Sequence, residues 1–233
     1  MVGEQPGRGK CDRIAGHLAA TLDAVRAGGK LGCVTTRDVT ADALETLLRE
    51  VRACRLCELH LPLGPRPVLR AGTRARVLIV GQAPGTRVHE TGIPWNDPSG
   101  DRLRDWLQVD RAVFYDEQRF AIIPTGLCYP GRGRSGDRPP RPECAPLWHP
   151  RLRPLLPAIG LTLLVGRYAQ AHYLGARRQP TLTATVRDWR GYLPEFLPLP
   201  HPSPRNTRWL QVNPWFSSEV LPELRARVER LSR

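Results

Sequence analysis

Short runs of apolar residues alternate along this chain with stretches in which apolar residues recur every three or four positions. Runs bounded by glycine or polar turns, without internal alternation, are typical of strands buried on both faces of a sheet. The four runs are Arg76–Gly81, Phe120–Ile123, Leu161–Val165 and Phe196–Leu199. Since helical patterns separate them, their order predicts an α/β fold with three α/β/α layers and a central, mostly parallel four-stranded sheet.

Several of the helical stretches carry a polar residue that is suited to capping. Thr40 is predicted to cap a helix whose apolar positions lie within Leu44–Val51. Ser99 is predicted to cap the helix after the first strand, and Ser217 is a candidate cap for the terminal helix. A further helix is expected over Arg167–Leu174, directly after the third strand.

The first forty residues show no strand pattern and only one weak helical stretch, Ile14–Val25. We expect residues 1–40 to form a loosely ordered extension and residues 41–233 to form one α/β/α domain. The chain shows neither a run of about twenty apolar residues nor the basic-then-apolar order of a secretory signal. We therefore expect a cytoplasmic monomer without a membrane partner.

The chain carries 35 basic and 22 acidic residues, for a formal net charge of +13. This excess favours a polyanionic partner such as a nucleic acid. A GC-rich coding bias is the alternative, because every basic residue after Lys30 is arginine. Residues 1–40 hold six basic and four acidic residues, so the excess belongs mainly to the predicted domain.

Four cysteines form two pairs, one separated by two intervening residues and the other by fifteen. They are Cys54, Cys57, Cys128 and Cys144, whereas Cys11 and Cys33 fall in the predicted extension. Four thiolates can converge on one soft metal centre, either an iron-sulfur cluster or zinc. Disulfides are a third interpretation, which a reducing cytosol disfavours.

A segment rich in proline, glycine and arginine, residues 129–142, lies between the third and fourth of these cysteines. It is either a solvated linker or a loop pinned at both ends. A candidate metal ligand at each end favours the pinned loop, whose Arg132 and Arg134 are then candidates for contacts with phosphates.

Three short motifs occur in order between and after these cysteines. They are Gly81-Gln-Ala-Pro-Gly85, Gly92-Ile-Pro-Trp95 followed by Ser99-Gly100, and His201-Pro-Ser-Pro204. Together with the four cysteines, these motifs resemble the uracil-DNA glycosylase superfamily, most closely its iron-sulfur-containing microbial branch. The resemblance covers about residues 41–230.

The resemblance implies a DNA glycosylase that extrudes uracil or a related damaged base and hydrolyses its N-glycosidic bond, leaving an abasic site. Its partner would be DNA that contains such a base, and its cofactor a 4Fe-4S cluster, with zinc as the alternative. A non-catalytic or covalently trapping DNA-binding member of the same fold is the second hypothesis. A redox-sensing DNA binder is the third.

The resemblance also implies roles for the residues of the motifs. His201 would stabilise the departing base anion, while Gly81 would let the backbone amides of Gln82 and Ala83 approach a pyrimidine carbonyl. Trp95 would stack on the extruded base, or pack in the core. Asp97 is the best candidate for orienting water or countering charge on the sugar, and equally for capping the following helix.

The His201 turn would also meet the duplex. Ser203, Arg205 and Asn206 extend it towards DNA, and Arg205 would occupy the space that the extruded base vacates. A plain surface arginine is the alternative for that residue.

The chain departs from the microbial branch at three positions and from another branch of the superfamily at a fourth. Gln82 replaces a glutamate, Trp95 replaces a phenylalanine, and Ala83 stands where another branch places a water-activating aspartate. Pro124 replaces an asparagine that reads the edge of uracil. Because proline has no side-chain amide, either another residue reads the base or the substrate differs.

Overall fold

The computed structural model describes residues 36–134 and 136–232. Six strands occur in these ranges. They are β1 (Val77–Val80), β2 (Phe120–Ile122), β3 (Arg132–Gly133), β4 (Gly136–Asp137), β5 (Leu161–Val165) and β6 (Phe196–Leu199).

Nine α-helices lie within the same described ranges. They are α1 (Thr36–Arg52), α2 (Thr86–Thr91), α3 (Pro98–Leu107), α4 (Arg111–Phe114), α5 (Cys144–Leu152), α6 (Arg167–Leu174), α7 (Leu182–Arg187), α8 (Thr207–Val212) and α9 (Leu221–Ser232). A π-helical turn, Phe216–Val220, leads into α9.

The central sheet has four parallel strands in the order β2-β1-β5-β6, which confirms the predicted fold class. In its register, Ile79 of β1 lies between Ile122 of β2 and Leu163 of β5. Arg70 forms one antiparallel bridge with Ile122 at the edge of the sheet. The four strands begin and end within one residue of the predicted apolar runs.

Each face of the sheet supports its own hydrophobic core, because successive strand residues point to opposite faces. Leu78 and Val80 pack with apolar residues of α1, α5 and α6. Val77 and Ile79 pack with residues of α3, α4, α7 and α9. The helices therefore form two layers around the sheet, as predicted.

Of the four residues predicted as possible caps, Asp97 is confirmed, whereas Thr40, Ser99 and Ser217 are wrong. Helix α1 begins at Thr36, so Thr40 lies inside it. Ser99 is the second residue of α3, because Asp97 two positions earlier already accepts a hydrogen bond from the backbone of Gly100. Ser217 lies within the π-helical turn that continues into α9.

The predictions for Ile14–Val25, Cys11 and Cys33 lie outside the described residues. Helix α1 starts five residues before the predicted domain boundary at residue 41. No helix of the described chain combines the length and the apolar character that crossing a bilayer requires.

Candidate active site

The carboxyl ends of the four parallel strands surround a cavity of about 590 Å³. Turns after β1, β2, β5 and β6 all contribute to its lining, as the parallel topology dictates. Nine of the residues singled out in the sequence line this cavity: Gly81, Gln82, Ala83, Trp95, Asp97, His201, Ser203, Arg205 and Asn206. Motifs more than one hundred residues apart in sequence therefore meet at one site.

The turn after β1 is anchored through its carbonyl groups. The hydroxyl of Thr125 donates to the carbonyls of Gly81 and Gln82 at 3.1 and 2.6 Å. The amides of Thr125 and Gly126 donate to the same two carbonyls at 3.0 and 2.8 Å. Among the described residues, no group accepts a hydrogen bond from the amides of Gln82 or Ala83. The turn thus offers two backbone donors to a ligand.

The side chain of Gln82 links two segments of the chain, whereas its backbone amide is available to a ligand. Its Nε2 donates to the carbonyl of Arg138 at 3.3 Å, which ties the turn to the segment after β4. Sequence reasoning missed both Arg138 and Thr125, although Thr125 directly follows Pro124 at the end of β2.

Trp95 fits into a space that two glycines create. A Cβ on Gly81 would lie 2.8 Å from Cζ2 of Trp95, and a Cβ on Gly100 would lie 1.7 Å from its carbonyl oxygen. The backbone of Trp95 has a φ of 56°, in the left-handed region. A buried Arg104 donates to its carbonyl at 3.2 Å, so the conformation is held from outside the cavity.

The position of the Trp95 indole is compatible with both interpretations made from the sequence. It is half-buried and packs against the core that α3 and α9 share, yet it also lines the cavity. Its ring centroid lies 5.6 Å from that of His201, with the two planes inclined by 36°. Trp95 and His201 together form an aromatic wall.

Asp97 is both a helix cap and a wall of the cavity. Its Oδ1 accepts a hydrogen bond from the amide of Gly100 at 2.8 Å, at the start of α3. The carboxylate also lies close enough to His201 to favour the protonated imidazole. Its negative charge is therefore available to the site while one oxygen stabilises the helix.

The imidazole of His201 is oriented by its own turn. Its Nδ1 accepts a hydrogen bond from the amide of Ser203 at 3.2 Å, so the neutral ring carries its proton on Nε2. Burial lowers the pKa of His201, and the opposing effect of Asp97 is smaller. His201 is thus held as a neutral donor at neutral pH.

Contacts on both sides fix the backbone of this turn. The side-chain amide of Asn206 donates to the carbonyl of His201 at 2.8 Å. Arg102 of α3 donates to the carbonyl of Ser203 at 3.0 Å. Gly166, beside the His201 ring, has a φ of 84°, a backbone conformation of the turn after β5 that favours glycine.

Arg205 lies exposed at the mouth of the cavity, beside strand β4. A Cβ on Gly136 would lie 2.5 Å from its Nη1, so the guanidinium rests directly on the glycine backbone. The segment between Cys128 and Cys144, predicted to be a pinned loop, contains the antiparallel hairpin β3–β4.

The structure does not place Arg132 and Arg134 in the lining of the cavity. Both are exposed on the β3–β4 hairpin, and neither takes part in the ion pairs that the described residues form. The hairpin instead brings Asp137 into the lining, and the start of α6 brings Arg167 and Tyr168. The sequence singled out none of these three.

The four cysteines line a second, smaller cavity. They approach it from the segment after α1, from the segment after β2 and from the first residue of α5. All four are free thiols. In the described part of the chain, no three His, Cys, Asp or Glu side chains have the arrangement of a site for a metal ion. The thiols thus share one cavity without converging on one point.

Burial is the main influence on the pKa values of the two inner thiols, Cys128 and Cys144. It raises the pKa of Cys128 to about 11 and that of Cys144 to about 12, and the neighbouring thiols add to both shifts. The amide of Leu127 donates to Sγ of Cys144 at 3.3 Å. At the outer side, Arg141 and Glu143 lie against Cys57. A positive partner at the site would stabilise the thiolate forms of these cysteines.

Pro124 lines the active-site cavity, but its only polar atom faces a buried histidine. Nε2 of His149 donates to the carbonyl of Pro124 at 3.1 Å, and its Nδ1 accepts from the hydroxyl of Tyr173 at 2.8 Å. Burial lowers the pKa of His149 to about 4. Pro124 therefore offers a base no hydrogen-bonding group of its own.

We expect this buried histidine to make stability fall in mild acid. The pKa of His149 is about 4 in the folded chain against 6.5 for the exposed group, so protonation below pH 6.5 favours the unfolded state. At 1.36 kcal/mol per pKa unit the loss reaches about 3 kcal/mol by pH 4. Between pH 7.5 and 5, urea unfolding should show that the wild type loses about 2 kcal/mol more than His149→Gln. Equal losses in both proteins would contradict this linkage.

The comparison with protein families agrees with the motifs. The family model of the uracil DNA glycosylase superfamily matches residues 70–225, which include the whole central sheet and every lining residue of the cavity except Val68. A candidate uracil DNA glycosylase from Methanosarcina acetivorans, solved by solution NMR, is similar with 18% sequence identity and a TM-score of 0.43. That similarity covers 72% of this chain and 99% of the other.

Proposed function

Because the chain belongs to the uracil DNA glycosylase superfamily, we propose that it excises uracil or a related damaged base from DNA. The observation that carries this proposal is the single cavity shared by the Gly81–Gly85 turn, Trp95 and His201. Its volume of about 590 Å³ falls within the range of small-molecule sites. We further propose that the protein acts as a cytoplasmic monomer in base excision repair.

Cleavage of an N-glycosidic bond builds negative charge on the departing base and positive charge on the sugar. The extruded base would lie against Trp95, with a carbonyl oxygen facing the amides of Gln82 and Ala83. A neutral His201 that donates from Nε2 is suited to stabilise the base anion, since its Nδ1 is already occupied by the Ser203 amide. Asp97 would place a negative charge near the sugar.

The DNA strand would cross the mouth of the cavity. Ser203, Arg205 and Asn206 form its rim on one side, and the exposed Arg132 and Arg134 extend the positive surface along the hairpin. Arginine guanidinium groups suit this position because they bind phosphate oxygens and also stack on bases. Arg205 would fill the space that the extruded nucleotide leaves.

We propose a 4Fe-4S cluster as the cofactor, held by Cys54, Cys57, Cys128 and Cys144. Four thiols around one cavity fit a cluster, because its iron atoms need ligands that are spread around it. Zinc, which needs four thiolates to converge on one ion, is the alternative. The bound group would supply positive charge and a cross-link between α1, β2 and α5, without a part in bond cleavage.

A covalently trapping or non-catalytic DNA binder is the second candidate function. Two observations favour it: Ala83 offers only a methyl group to the cavity, and the carbonyl of Pro124 is engaged by His149. Both positions carry reactive or base-reading side chains in the branches that the chain resembles.

Defined oligonucleotides separate these functions. Single- and double-stranded DNA with one uracil, hypoxanthine or xanthine would be incubated with the protein and then cleaved with alkali at abasic sites. We expect strand scission with at least one of these bases. A stable protein-DNA adduct would support trapping, and intact strands with every substrate would overturn the glycosylase proposal.

A further inference from the structure

Strand β4 brings a carboxylate to the mouth of the active-site cavity. Asp137 lies at the end of this strand and lines the cavity together with the Gly81–Gly85 turn. A Cβ on Gly85 would lie 3.5 Å from Oδ2 of Asp137, so the carboxylate is in contact range of that turn. Asp137 as a whole is exposed, which places it at the entrance and not at the base of the cavity.

The hairpin that carries Asp137 is fixed against the base-binding turn. The amide of Arg138 donates to the carbonyl of Gly131 at 2.8 Å, and Nε2 of Gln82 donates to the carbonyl of Arg138 at 3.3 Å. Further along, a Cβ on Gly126 would lie 2.7 Å from Cβ of Pro140, so the two segments touch. These contacts set the position of Asp137 relative to a base bound at Gln82.

The two carboxylates of the site are not equivalent. Oδ1 of Asp97 accepts the hydrogen bond that caps α3. Within the described residues, no hydrogen bond or ion pair engages the carboxylate of Asp137, although Arg205 and Arg132 lie close enough to stabilise its charge. Asp137 is therefore the carboxylate with both oxygens available to a water molecule.

The location of Asp137 matches the place where the sugar must lie. A base that stacks on Trp95 enters the cavity first, so its glycosidic bond and C1′ remain near the mouth. Asp137 and Arg205 both line that mouth. A carboxylate there faces the carbon that water attacks, whereas His201 faces the departing base.

We propose, resting on the glycosylase function above, that Asp137 is the catalytic residue that accepts a proton from the attacking water. The water oxygen bonds to C1′ while the bond from C1′ to the base nitrogen breaks, and its electron pair leaves with the base. The water proton passes to Asp137 and then to solvent, and the base anion, stabilised by His201, takes up a proton from solvent. Asp137, on the hairpin, thereby supplies the carboxylate that is absent at position 83, where the chain has alanine.

The electrostatic surroundings of Asp137 are consistent with a role as a proton acceptor. Desolvation raises the pKa of its carboxyl, Asp97 raises it further, and Arg205 and Arg132 lower it. A carboxylate with a raised pKa is a stronger proton acceptor than an ordinary one. Excision should therefore decline in acid as Asp137 becomes protonated.

Single-turnover excision by Asp137→Asn tests this role. We expect a decrease of about 100-fold or more, the usual contribution of a general base, together with loss of the acid limb of the pH profile. Asp105→Asn, an exposed aspartate of α3, is the matched control and should excise at the wild-type rate. Formate added to Asp137→Ala should restore part of the rate, because a free carboxylate can then accept the proton.

Three outcomes would overturn the proposal. The first is an excision rate of Asp137→Asn within threefold of the wild-type rate. The second is a slow Asp137→Asn that keeps the wild-type acid limb while formate leaves Asp137→Ala inactive, which assigns a structural role. If the wild type itself excises no base from any substrate, the glycosylase function fails and this proposal fails with it. Whether the wild type excises any base therefore distinguishes a failure of the glycosylase function from a failure of the role assigned to Asp137.

Discussion

Replacing His201 with alanine is expected to slow base excision by about 10²–10³-fold, the usual cost of removing one donor to a developing anion. The structure gives the reason, because the Ser203 amide occupies Nδ1 and leaves the Nε2 proton for the base. The lowered pKa of His201 keeps this donor neutral. A neutral donor stabilises the anion of the departing base without a charge that must be desolvated.

DNA affinity should change little in His201→Ala, since the rim of the cavity and its arginines remain. Single-turnover excision and fluorescence anisotropy on the same oligonucleotide measure the two effects separately. His60→Ala, an exposed histidine after Cys57, is the matched control. Weakened binding with an unchanged rate of excision would contradict the role assigned to His201.

Replacing Cys144 with alanine is expected to remove the bound metal group and to destabilise the fold by about 4 kcal/mol or more, as loss of a structural metal does. Cys144 is the first residue of α5, and its sulfur accepts a hydrogen bond from Leu127 in the segment after β2. Without it, the cavity would keep three thiols and no complete ligand set. The hairpin between Cys128 and Cys144 would also lose one of its two anchors.

Iron and acid-labile sulfide, visible absorption and urea unfolding measure this change. Cys33→Ala, which lies outside the four-cysteine set, is the control and should keep the wild-type metal content. A colourless wild type that contains one zinc ion would show that the cofactor is zinc and not a 4Fe-4S cluster. Wild-type metal content and stability in Cys144→Ala would contradict the ligand role itself.

The convergence of the Gly81 and His201 turns could be predicted from the sequence. Buried parallel strands appear as uninterrupted apolar runs, and the carboxyl ends of such strands meet at one edge of the sheet. The runs at β1 and β6 therefore fixed the side of the molecule on which both motifs lie. The predicted cap at Ser99 failed because polar residues near a helix start compete, and Asp97, the other candidate for this helix, is the one that accepts the hydrogen bond from Gly100.

The position of Asp137 could not be predicted in the same way. The segment around it is rich in arginine, glycine and proline, and it has no apolar periodicity that assigns a face. Its hairpin is positioned by contacts with distant groups, such as the Gln82 side chain and the guanidinium of Arg205. Such contacts are properties of the folded chain and leave no local signal.

The close fit of Trp95 against Gly81 and Gly100 also has an evolutionary consequence. A side chain larger than hydrogen at position 81 or 100 collides with the tryptophan, whereas a smaller residue at position 95 leaves a void beside His201. No single substitution at these three positions therefore leaves the packing unchanged. Lineages that diverge from this protein should keep glycine at position 100 whatever side chain stands at position 95, and should preserve Gly81 and Trp95 as a pair or exchange them together.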